Sequence, residues 1–124
     1  MRIVLAVVVV TTFGFSLSGC AGGGYGNPAG ATSPSASVPS NAVVINVVGI
    51  NGAQSFSPNP GSIPSGQLVV WHNVDSITHR VVLNDGELDT GNISAGGFSS
   101  AMALVAPGPY HCTIHPEMVG TLTH

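Results

Sequence analysis

Tyr110-His111-Cys112-Thr113-Ile114-His115-Pro116-Glu117-Met118 sets a thiol, an imidazole and a thioether three residues apart in one short segment. Thiolate and thioether are soft donors and imidazole is borderline, a mixture that suits copper better than zinc, calcium or magnesium. Neighbouring donors would stand roughly 10 Å apart on an extended chain, so the segment must close into a tight loop to reach one ion. Pro116 helps, because its ring fixes its own φ and biases His115 away from helix. Tyr110 to Cys112 reads as a short strand feeding that loop. By the period of two, Tyr110 and Cys112 share a buried face, and His111 points the other way, toward the surface.

Outward from this segment, the folded part of the chain is a series of short apolar runs broken by Gly, Pro, Asn and Ser. Val43 to Val48 is β-branched and reads as a first strand, ended by Gly49 and Asn51-Gly52. Phe56 lies in a short segment closed by Pro58 and Pro60-Gly61, and Ile63-Pro64-Ser65-Gly66 is a turn. Gln67 to Asn73 is the next strand, with Val69 and Trp71 on one face and Leu68, Val70 and His72 on the other. Asp75-Ser76 turns the chain, His79 to Leu83 forms another strand, and a polar loop runs from Asn84 to about Gly91. Phe98, Ser100, Met102 and Leu104 alternate with smaller residues along a strand ending at Ala106-Pro107-Gly108, which makes Met102 a core residue. Gly120 to Thr123 closes the series. No stretch has sustained helical periodicity. Seven to eight strands at this spacing predict an all-β, Greek-key β-sandwich.

One more donor must come from another strand at the same end of the sandwich. His79 follows the Asp75-Ser76-Ile77-Thr78 loop and opens a strand, the right kind of position; His72 lies mid-strand and His124 stands at residue 124. Two segments carry a resemblance. Val70-Trp71-His72-Asn73-Val74-Asp75-Ser76-Ile77-Thr78-His79-Arg80-Val81 resembles the Trp-x-Asn-x-Asp…His segment of the cupredoxin family, and Tyr110 to Gly120 resembles its ligand loop. The two residues between His115 and Met118 resemble the spacing of amicyanin; plastocyanin and pseudoazurin loops are longer there. The likeness spans residues 42–124.

The resemblance implies a cupredoxin-like sandwich holding one type 1 copper, with His79, Cys112 and His115 as strong trigonal ligands and Met118 as the weak axial one. It further implies one-electron transfer, with a redox protein docking on an apolar patch near His115, edged by Ile114, Pro116 and Val119. One position departs from the family. Where an Asn commonly follows the first His and braces the two ligand loops, this chain has Arg80, which leaves the bracing of the ligands open. Arg80 is expected to pair with the acids of the Asp85 to Asp89 loop. His72, His111 and His124 are expected to be structural or surface residues, with His111 the best placed of them to touch a partner.

The chain has 124 residues, of which 6% are charged, and no lysine. Arg2 followed by the apolar run Ile3 to Leu17 reads as a secretory signal, and Leu17-Ser18-Gly19-Cys20 resembles a bacterial lipobox. The expected divisions are a lipoprotein signal peptide at 1–19, a lipidated Cys20 with a flexible linker to 41, and a copper-binding domain at 42–124. The linker is Gly, Ala, Ser, Pro and Asn apart from Tyr25, Thr32 and Val38; as a random coil about twenty such residues reach on the order of 25 Å. Lipid on Cys20 would hold the protein on a bacterial membrane, outside the cytoplasm, without a spanning helix. It would also leave Cys112 without a disulfide partner, to be protected by burial or metal. Past Cys20, one arginine stands against five carboxylates, a net charge of about −4. Such a surface neutralises few phosphates, which argues against nucleic acid as a partner.

The expected function is a membrane-tethered, monomeric blue copper protein that passes single electrons between partners. The alternative is a lipoprotein of the same fold that sequesters or delivers copper. An enzyme is not expected: a further copper site would need extra His pairs or a second domain, and a binuclear centre would need two cysteines in the loop.

Overall fold

The computed structural model describes residues 37–124. The expected signal, the expected lipobox with Cys20 and most of the expected linker lie outside the described residues. Eight strands form two four-stranded sheets. The strands are β1 (Ala42–Val47), β2 (Phe56–Ser57), β3 (Gly61–Ser62), β4 (Leu68–Asn73), β5 (Val81–Leu83), β6 (Met102–Ala103), β7 (Gly108–Cys112) and β8 (Val119–Thr123). The first sheet has the order β2-β1-β4-β6 and the second β3-β8-β7-β5. Among the described residues the only helical piece is one 3₁₀ turn, Gly52–Gln54. The expected all-β sandwich of seven to eight strands is the fold.

β1 and β4 pair in parallel, Ile45 opposite Trp71 and Val47 opposite Asn73. Their alternating residues Ile45, Val47, Val69 and Trp71 face inward and are fully buried. The second sheet answers with Val81, Leu83, Tyr110, Cys112 and Leu122. Burial of one face of each sheet is the chief stabilising term in a domain of this size. Tyr110 is at the centre, with Phe56 and Trp71 meeting it edge-on at centroid distances of 4.8 and 5.6 Å. Burial pushes its phenol far above its ordinary pKa, so the hydroxyl stays neutral.

The segment 98–104 departs from the expected single strand. Only Met102–Ala103 forms a ladder with β4, and Phe98 is on the outer side, its ring stacked on His72 at 4.0 Å. The registers explain the change. Phe98 bridges His72, but Met102 pairs with Val69 and Ala103 with Leu68, one residue out of step with the first pairing. One extra residue is therefore inserted between the two pairings, a β-bulge that switches which side chains face in. Ser99, not Phe98, turns inward. Its amide donates to Trp71 O at 2.8 Å and its Oγ accepts from Trp71 N at 2.9 Å, so the bulge leaves neither group of Trp71 orphaned. Met102 and Leu104 pack against the core as partly buried residues, consistent with Met102 as core. Val70, expected to face away from the core, is also buried, beside Val38, Pro39 and Phe98.

Gly120 on β8 lies opposite Tyr110 on β7. A Cβ at residue 120 would fall 2.3 Å from Tyr110 Cζ and 2.5 Å from its hydroxyl. The ring lies across the bare glycine backbone, and only glycine permits that approach. Gly120→Ala is expected to cost about 1–3 kcal/mol, the usual penalty for overpacking a close-packed interior. Thermal unfolding would then move down by several degrees; an unchanged midpoint would show that the Tyr110 ring is free to shift.

Candidate metal centre

His79 is set by the chain between β4 and β5. Asn73, buried at the end of β4, donates through Nδ2 to Ile77 O at 2.7 Å and to Ile93 O at 2.9 Å. Its Oδ1 accepts from Asp75 N at 3.0 Å. One amide side chain thus fixes both limbs of the 73–79 loop, as expected where buried backbone groups must be satisfied. His79 then exchanges backbone hydrogen bonds with Ile93, 3.1 Å for its own amide and 2.7 Å for the return. The strand at His79 to Leu83 is accordingly shorter than expected, with β5 confined to Val81–Leu83 and His79 held by an isolated bridge.

The His79 ring is fully buried, and its Nε2 lies 2.9 Å from Asp75 Oδ2. A carboxylate only accepts, so Nε2 carries the hydrogen and Nδ1 keeps the free lone pair. This bond, with the Ser76 amide behind it, holds the Asp75 carboxyl below its usual pKa.

The second limb is the loop after β7. Cys112 and Met118 are both fully buried. Cys112 N donates to Met118 O at 3.0 Å and Met118 N to His115 O at 3.0 Å, closing the seven residues into the tight turn that their spacing requires. The two limbs are joined by the antiparallel pairing of Val81 with Cys112 and by Thr113 N donating to Arg80 O at 2.9 Å.

Together these bonds bring three donors to one point. Cys112 Sγ is 3.7 Å from His79 Nδ1 and 3.7 Å from His115 Nδ1, and the two nitrogens are 3.3 Å apart. A point equidistant from the three atoms lies about 2 Å from each, close to the bond length from a first-row ion such as zinc to imidazole. Among the described residues, this is the one group of three or more His, Cys, Asp or Glu side chains able to hold a metal ion. Asp75 is occupied by His79, and Glu117 is exposed. The remaining buried donor nearby in the chain is the thioether of Met118, a ligand that copper accepts and zinc does not favour. The residues present therefore fit copper.

No protein-family model matches the chain. It is 30% identical over 117 residues to the chloroplastic plastocyanin major isoform of Arabidopsis thaliana, a match covering 80% of this chain and 70% of that protein. The chain belongs to the cupredoxin family. Among solved structures, a purple cupredoxin from Nitrosopumilus maritimus is 25% identical, over 64% of this chain and 96% of that one, at a TM-score of 0.53. A reduced amicyanin variant, 23% identical over 72% of this chain and 87% of that one, shares the fold at a TM-score of 0.57.

Within this cupredoxin the other histidines stand apart from the cluster. His72 stacks on Phe98, His111 Nδ1 pairs with Asn84 Oδ1 at 2.7 Å, and His124 Nδ1 lies 3.2 Å from Ile63 O. Asn73 and Asp75 are the residues that sequence reasoning passed over. Both stand in the Trp-x-Asn-x-Asp segment, so their spacing was visible, but which atoms they would reach was not. Arg80 pairs bidentately with Asp89, as expected of the acidic loop, through Nε at 2.9 Å and through Nη2. Its side chain therefore pairs beside β5, and its backbone carbonyl accepts from Thr113 N and joins the two loops.

Both partners of the Arg80–Asp89 pair are exposed, so Arg80→Gln should lower stability at neutral pH less than Gly120→Ala does. The Arg80 hydrogen bond, chiefly, lowers Asp89 from 3.8 to about 2. A depressed carboxylate stabilises above its ordinary pKa and loses that contribution as pH falls through the folded value. Urea midpoints of the parent and Arg80→Gln should differ at pH 7 and converge as pH falls from about 4 to about 2. A constant difference across that window would remove the pair from the account.

Proposed function

We propose that this cupredoxin binds one type 1 copper through His79, Cys112 and His115, with Met118 as the weak axial donor, and carries single electrons. The observation that supports it is the convergence of Sγ and two Nδ1 atoms where His79, Cys112 and Met118 exclude water. Copper bound there would supply a one-electron couple. The chain's own part is to hold the donors still. The ring of His79 is tied to Asp75, the loop is tied at both ends by backbone bonds, and Cys112 is anchored in a sheet. Donors that cannot rearrange favour fast exchange of one electron, since little reorganisation accompanies the change of charge.

His115 is the partly exposed donor. Exposed Ile114 and Val119 flank it in the chain, and exposed Val74 and Ile77 belong to the segment leading to His79. This apolar rim, with Asp75 and exposed Glu117 in the same two segments, is the proposed docking face for a redox protein. The sequence of residues 1–20 supports export and lipid attachment at Cys20, so the domain at 42–124 would work as a monomer beside a bacterial membrane, on a linker ending near residue 41. Sequestration or delivery of copper is the rival outcome of the test below.

Addition of Cu(II) to the purified domain should give an intense visible band from thiolate-to-copper charge transfer. Cys112→Ser and His79→Ala should each abolish it, and His72→Ala should leave it. A colourless adduct of the parent would sink the type 1 assignment. Repeated chemical reduction and reoxidation should retain the copper in stoichiometric amount; release on reduction would favour delivery over electron transfer.

A further inference from the structure

Asp75 is a carboxylate aimed at the back of a ring whose front faces the other donors. Its Oδ2 is 2.9 Å from His79 Nε2, and on the far side of that ring Nδ1 lies 3.3 Å from His115 Nδ1 and 3.7 Å from Cys112 Sγ. The carboxylate is itself held. Asp75 N donates to Asn73 Oδ1 at 3.0 Å, and Asp75 Oδ1 accepts from Ser76 N at 2.7 Å. Its side chain is 20% exposed, and the imidazole that it touches is fully buried. The nearest cationic side chain in sequence, Arg80, is committed to Asp89. Among the described residues, no other Lys or Arg is present to offset the charge beside His79.

We propose that Asp75 is a positioning residue with two effects on the centre, an inference that rests on the copper reading above. By accepting the Nε2 hydrogen it selects the tautomer that presents Nδ1 to the ion. By its negative charge, transmitted through one imidazole, it favours the more positive ion, Cu(II), over Cu(I), so that Cu(I) gives up its electron to a partner more readily. A neutral acceptor in the same place would keep the first effect and lose the second. The separation of the two effects makes the assignment testable by substitution.

Asp75→Asn keeps an oxygen acceptor and removes the charge; Asp75→Leu removes both; Asp85→Asn removes a carboxylate from the polar loop as a control. Two readouts are needed. In the copper-free parent, ¹⁵N chemical shifts of the His79 ring should report the Nε2–H tautomer, retained in Asp75→Asn and mixed in Asp75→Leu. In the copper-loaded proteins, Asp75→Asn should raise the Cu(I)/Cu(II) ratio at a fixed ambient potential about tenfold, a midpoint shift of about 59 mV. Asp75→Leu should show that shift together with a loss of copper affinity of about 10-fold or more, and Asp85→Asn neither. A parent His79 ring carrying its hydrogen on Nδ1 would overturn the positioning role. An Asp75→Asn midpoint equal to that of Asp85→Asn would overturn the electrostatic one. Failure of the copper reading would look different, as a colourless parent with the tautomer result unchanged.

Discussion

The antiparallel pairing of β5 with β7 is the constraint on which the centre depends. Val81 opposite Cys112 fixes the relative height of two strands whose neighbours, His79 and His115, supply the remaining nitrogens. His79 and Cys112 are 33 residues apart in sequence, and a slip of one residue in this ladder would turn Cys112 out of the sandwich. The Thr113–Arg80 hydrogen bond extends the same ladder into the ligand loop. Sheet and site are therefore one structure: the bonds that pair the strands also set the distances between donors.

This chain has Arg80, not an Asn, after its first histidine. The loops are joined by main-chain groups, which any residue at position 80 would supply, and the freed side chain is used at the sheet edge against Asp89. Side-chain amide bracing is concentrated instead at Asn73. Its three hydrogen bonds organise the 73–79 loop before His79 is reached, and Asp75, held through its amide by Asn73 Oδ1, orients the imidazole. The order of support runs from a buried amide to a carboxylate to a ring.

Much of this was legible in the sequence. Alternation identified Tyr110 and Cys112 as inward-facing, and the three-residue spacing of Cys112, His115 and Met118 required the tight loop that the hydrogen bonds close. The segment 98–104 was misread because alternation assumes an unbroken period of two. The bulge that breaks it is held by Ser99 Oγ on Trp71 N, a long-range bond with no local signature. Asp75 shows the same limit. A carboxylate four residues before a histidine on an irregular loop has no preferred direction until Asn73 gives it one.

The sheets also end in an unusual way for a chain with no lysine. Exposed strand edges invite pairing with other chains, and charged side chains are a common defence against it. Here the outermost strands of the first sheet, β2 and β6, are two residues each, one followed directly by Pro58 and the other preceded by the bulge. In the second sheet, β3 is two residues long between Pro60 and Pro64, and β5 is covered at Val82 by a bridge to Asp89. The bulge that turns Phe98 outward and the prolines that shorten the outer strands thus also guard against edge-to-edge aggregation, by geometry where charge is scarce.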